Sequence, residues 1–61
     1  MKVTVENVYS ETTKTFQGEP EQVTNQLLEA YPFLARYNAA SFQDVVSKLS
    51  QQQAFMVKVE Q

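Results

Sequence analysis

Thr15-Phe16-Gln17-Gly18-Glu19-Pro20-Glu21 decides how this chain is built. A threonine and aromatic run ends at the only glycine of the sequence, and a proline follows two residues later. Threonine and phenylalanine suit a pleated, half-buried surface, and glycine interrupts one. Proline at the first helical position sacrifices no hydrogen bond, because that N–H has no intrahelical partner, and its φ is already helical. The stretch therefore reads as strand, stop and helix start. Glu19 and Glu21 lie where the positive end of a helix dipole favours carboxylates. Helix-end electrostatics accounts for them without any catalytic role.

Downstream, Val23, Leu27, Ala30, Tyr31 and Leu34 recur at i, i+4, i+7, i+8 and i+11, one face of a helix. Pro32 interrupts that face, since its ring clashes with the carbonyl four residues back and biases Tyr31 away from helical geometry. The first helix is expected to end or kink near Tyr31, with Pro32 to Tyr37 as a short helical or 3₁₀ turn. After the connector Asn38-Ala39-Ala40, Ser41 and Asp44 have the spacing of an N-cap and its capping-box partner. Phe42, Val45, Val46 and Leu49 supply the apolar face of that second helix. Ser50-Gln51-Gln52-Gln53 releases the chain into Phe55-Met56-Val57-Lys58-Val59, where apolar and polar residues alternate as in a strand.

Upstream, Lys2 to Tyr9 alternates as a half-buried strand, with Val3 and Val5 on one side and Lys2, Thr4 and Glu6 on the other. Asn7 takes the inward phase and Val8 the outward one, which suggests a bulge near Asn7 or a strand entering a turn. Ser10-Glu11 is the expected turn centre. Thr12 to Gln17 forms a polar second strand suited to a sheet edge, where Lys14 would discourage edge-to-edge pairing.

The expected fold is α+β, a single domain over residues 1–61 in the order β-β-α-α-β, with both helices on one face of a three-stranded sheet. Strand order 2-1-3 is favoured and 1-2-3 is the alternative. An antiparallel helix pair would make the third strand parallel to the first. The expected core is Val3, Val5, Phe16, Val23, Leu27, Ala30, Leu34, Phe42, Val45, Leu49, Phe55, Val57 and Val59.

Composition narrows function mainly by exclusion. At 61 residues the chain buries only about 60% of the surface it exposes unfolded, so each large apolar side chain matters. There is no Cys and no His, which removes thiolate zinc sites, disulfides and the commonest general base and metal ligand. One glycine cannot make a glycine-rich phosphate loop, and one Asp cannot make an Asp-rich cation loop. Ser47 and Lys48 are neighbours on a helix and point in different directions. The chain is expected not to be an enzyme, with no cofactor, no metal and no small-molecule substrate evident. The formal net charge is −2 and no two cations are adjacent, which disfavours phosphate-backbone binding. No segment approaches the ~20 apolar residues of a membrane span, and the default is a soluble cytoplasmic protein.

What remains is surface. Leu28, Tyr31, Phe33, Arg36 and Tyr37 form an aromatic corner around Pro32, and aromatic residues with Arg are enriched at interface hot spots. The competing structural reading turns Phe33 inward and leaves Tyr31 and Tyr37 half buried with wet hydroxyls. A second candidate is the outer sheet face with Thr4, Val8 and Met56. The expected partner is another protein, with a second copy of the chain as one candidate. The alternative is accessory single-stranded nucleic-acid binding, with bases stacked on Tyr or Phe, although Glu6 and Glu60 offset Lys2 and Lys58.

Overall fold

A computed structural model describes all of residues 1–61. Strands β1 (Lys2–Asn7), β2 (Thr12–Gln17) and β3 (Phe55–Glu60) form one sheet in the order β2-β1-β3. Helices α1 (Pro20–Ala30) and α2 (Phe42–Ser50) pack on it, with a 3₁₀ helix over Pro32–Tyr37 between them. The Cα trace is 16 Å in its thinnest direction, room for one sheet and one helical layer. The opposite sheet face is bare, and Met56 on it is 63% exposed.

The stretch around Gly18 behaves as its residues dictate. Gly18 adopts φ +143°, a backbone conformation that L side chains rarely enter. Its N–H donates to the Met1 carbonyl at 3.1 Å, and the Met1 amino group donates to the Gly18 carbonyl at 3.0 Å. Pro20 opens α1, and the Glu19 N–H donates to Gln22 Oε1 at 2.9 Å, satisfying one of the orphan donors of the helix start. In α2 the cap is Ser41, whose Oγ accepts the Asp44 N–H at 3.1 Å.

The third strand departs from expectation. β3 pairs antiparallel with β1, not parallel, in the register Lys2↔Glu60 to Asn7↔Phe55. The reason lies in the segment after Pro32. The start of α2 lies beside the start of α1, with Ala40, Ser41 and Phe42 sharing a depression with Pro20, Glu21, Thr24 and Asn25. The 3₁₀ helix and its connector therefore carry the chain back along the layer as a third traverse. α2 then runs toward the hairpin end, and β3 starts there.

The β1–β2 hairpin also differs in detail. β1 ends at Asn7 rather than Tyr9, and no bulge interrupts it, because Asn7 stays in register with both Thr12 and Phe55. Asn7 instead organises the loop Val8–Glu11: its Oδ1 accepts the N–H groups of Tyr9 at 3.0 Å and Ser10 at 3.1 Å. Glu11 closes that loop at φ 57°.

The core follows position in the sheet. Val3 and Val5 on central β1 are flanked by both neighbours and fully buried, together with Val23, Leu27, Leu34, Val45 and Leu49. Each such side chain is worth roughly 1.5–3 kcal/mol relative to exposure. Phe16 on β2, and Phe55 and Val57 on β3, face the same layer but lie on edge strands, and they are only half buried. Val59, expected in the core, is 38% exposed for the same reason. Ala30 and Phe42 are also only half buried. Tyr31 and Ala39 are buried in addition to the expected set, as is Thr24, whose hydroxyl donates to the Pro20 carbonyl at 2.7 Å.

Candidate functional site

Proline chemistry builds the candidate site. Tyr31 ends α1 at φ −126° and ψ 76°, outside the helical region that the following Pro32 disfavours, while its N–H still donates to Leu27 at 2.8 Å. This turns the Tyr31 ring down onto the sheet instead of out along the helix flank. The 3₁₀ helix continues through Phe33 and Tyr37 and stops at Asn38, which takes the left-handed conformation and donates its N–H to Ala35 at 3.2 Å.

The result is a continuous band of five rings. Tyr31 meets Phe16, Phe33 and Phe55 edge-on, with centroid separations of 6.2, 6.3 and 5.2 Å. Phe33 stacks on Phe55 at 6.2 Å and meets Tyr37 edge-on at 6.5 Å. A lysine covers each tyrosine of the band: Lys14 Nζ lies 5.9 Å from the Tyr31 centroid and Lys48 Nζ 5.8 Å from that of Tyr37.

Of the aromatic corner, the structure joins Tyr31, Phe33 and Tyr37 but distributes them in depth. Tyr31 is 9% exposed and belongs to the core, whereas Tyr37 is 48% exposed. Phe33 and Leu28 are half buried against the core, and Arg36 is exposed. The solvent-facing part of the corner is thus Tyr37 and Arg36, with Lys48 brought in from α2. Burial also raises the pKa of the Tyr31 phenol above 10.0, because a phenolate there would be desolvated.

Charge is uneven around the band. The single ion pair of the chain joins Lys58 and Glu60 at 3.7 Å on the opposite sheet face. Lys14, Arg36 and Lys48 have no carboxylate within ion-pair distance. A small cleft opens beside Lys14 at the hairpin end, with a volume of about 120 Å³, lined by Val5, Asn7, Thr12, Lys14, Tyr31 and Phe55. No group of three or more Asp or Glu side chains gathers to hold a metal ion, and no helix is long and apolar enough to cross a membrane.

Sequence reasoning missed Lys14, Lys48 and the cleft. Lys14 was within reach, since it stands two residues before inward-facing Phe16 and period two puts both on one face. Lys48 meets Tyr37 only through the packing of α2. Comparison with protein-family models, curated proteins and solved structures returns no match to this chain.

Proposed function

We propose that this chain is a small, non-catalytic, cytoplasmic protein-interaction module that engages an acidic protein partner through the exposed end of its aromatic band. The observation that carries the reading is the pairing of Tyr37, 48% exposed, with Lys48, whose Nζ lies 5.8 Å from that ring and has no carboxylate partner, while Arg36, next in sequence, is also exposed. A tyrosine offers a rigid, amphipathic contact area, and Arg and Lys beside it supply charge complementarity to an acidic surface. Phe33, stacked on Phe55 beneath, meets the Tyr37 ring edge-on at 6.5 Å and gives it a packed neighbour on one side.

The test is capture from native lysate with the wild-type chain and with the variant Arg36→Glu/Tyr37→Ser/Lys48→Glu, the fold of both being checked by circular dichroism. A protein retained by the wild type and lost by the variant supports the reading. Equal retention by both folded chains overturns it. Titration with single-stranded oligonucleotides runs in parallel. A salt-dependent response abolished in the variant would move the same surface to nucleic-acid binding.

A further inference from the structure

The free edge of β2 and the cleft beside it fit one ligand. Resting on the interaction-module reading, we propose that an extended acidic peptide segment adds as a fourth strand to β2 and seats a glutamate or aspartate carboxylate in the cleft at Lys14.

The cleft is walled by rings and aliphatic carbon on one side and donors on the other. Tyr31, Phe55 and Val5 supply the apolar wall, and Lys14, Asn7 and Thr12 the polar one. Asn7 spends its carbonyl oxygen on the Tyr9 and Ser10 N–H groups, which fixes its amide and leaves the NH₂ without a partner. The Thr12 hydroxyl is held by Ser10 Oγ at 2.8 Å. No carboxylate lines the cleft, whereas the other two depressions of the surface carry Glu21 and Glu60 in their walls. At about 120 Å³ the cleft is well above the ~10–15 Å³ that a single water needs on the same measure, enough for a carboxylate with its methylene stem.

Register links this cleft to the strand edge. β2 pairs only with β1, so its other flank has no strand partner, and only the Gln17 carbonyl at its end accepts a side-chain bond, from Gln26 Nε2 at 3.4 Å. Lys14 lies opposite Val5 and shares its helix-side face. A residue opposite Lys14 on an added strand would lie on that same face, where a cross-strand opposite charge is favourable. Self-pairing of β2 would instead bring two Lys14 ammonium groups to one six-residue edge. Lys14 therefore disfavours a second copy and favours an acid. The edge of β3 offers no equivalent, because Lys58 points to the bare face and is already paired with Glu60.

The test uses a capped seven-residue peptide of alternating Val and Thr with a central Glu, and its Gln counterpart, titrated into the ¹⁵N-labelled chain and followed by NMR. The Glu peptide is expected to shift the Asn7 side-chain amide and the backbone amides of Thr12 to Phe16. The Gln peptide, or the Lys14→Gln variant, should bind about tenfold more weakly, the loss of one charge-assisted contact. Lys58→Gln should bind as the wild type does. Equal binding of Glu and Gln peptides, shifts confined to β3, or no shift at millimolar peptide overturns the proposal. Partner capture by the wild-type chain that depends on Arg36, Tyr37 and Lys48, with no peptide binding by that same chain, refutes the cleft alone and leaves the interaction reading standing.

Discussion

Tyr31 is the hub of the ring band, and replacing it separates the energy of its ring from that of its hydroxyl. Three edge-on contacts converge on the ring, the shortest at 5.2 Å, and the residue is 9% exposed. Truncating a buried aromatic side chain to Ala typically costs ~3–5 kcal/mol. A 61-residue domain has only roughly 3–9 kcal/mol of stability in all. Tyr31→Ala should therefore remove a third or more of it, lowering the urea midpoint by about 3 M or more at a slope near 1 kcal/mol/M, or abolishing the folded baseline. The Tyr31 hydroxyl makes no hydrogen bond within the protein and is not sealed from water. Tyr31→Phe should accordingly stay within about 0.5 kcal/mol of wild type. Tyr31→Leu keeps much of the volume but loses the edge-on geometry, and should fall between them. Urea unfolding followed at 222 nm by circular dichroism measures all three. A Tyr31→Ala midpoint within about 0.5 M of wild type would refute the hub. A Tyr31→Phe loss as large as that of Tyr31→Ala would move the energy to the hydroxyl.

The raised Tyr31 pKa has a defined sign in the pH dependence of stability. The folded state holds the phenol proton more tightly than the unfolded state, so this contribution is fully present below pH 10.0 and is lost as pH rises through the folded-state pKa. Ultraviolet titration should show a phenolate component above that value that disappears in Tyr31→Phe. Gly18→Ala should destabilise by about 1–3 kcal/mol, read as a lower thermal midpoint, because φ +143° strains any L residue. A Cβ there would also stand 2.7 Å from Gln22 Oε1, the acceptor at the helix start. Ser41→Ala should cost ~1 kcal/mol through loss of the α2 cap, and Ser41→Asp should restore it in the same melt.

Local chemistry determined the elements. Period two in Val3 and Val5, the Gly18 stop, Pro20, the helical stripe from Val23 to Leu34 and the Ser41 cap each act over a few residues, so they are legible without a partner in space. The order β2-β1-β3 was also within reach, because β2 carries one large apolar side chain and is fit for an edge. Even the change at Pro32 was local, since the clash of its ring is with its own helix.

Tertiary structure decided what depends on path and packing. Whether β3 lies parallel or antiparallel to β1 turns on how many times the chain crosses the sheet, and no local signal says that Pro32–Tyr37 and its connector make a full traverse. The depth of each ring followed the same logic. Tyr31 sinks because Phe16 and Phe55 arrive from two strands on either side of it in sequence, while Tyr37 stays out with Lys48 above it. The candidate site changed accordingly, from a corner contiguous around Pro32 to a band with a cation over each tyrosine. Its lysines come from β2 and α2, and each stands more than ten residues away in sequence from the tyrosine it covers. Side chains that distant meet only when the whole layer closes on the sheet, because burial of Leu27, Leu34 and Leu49 sets where each element lies.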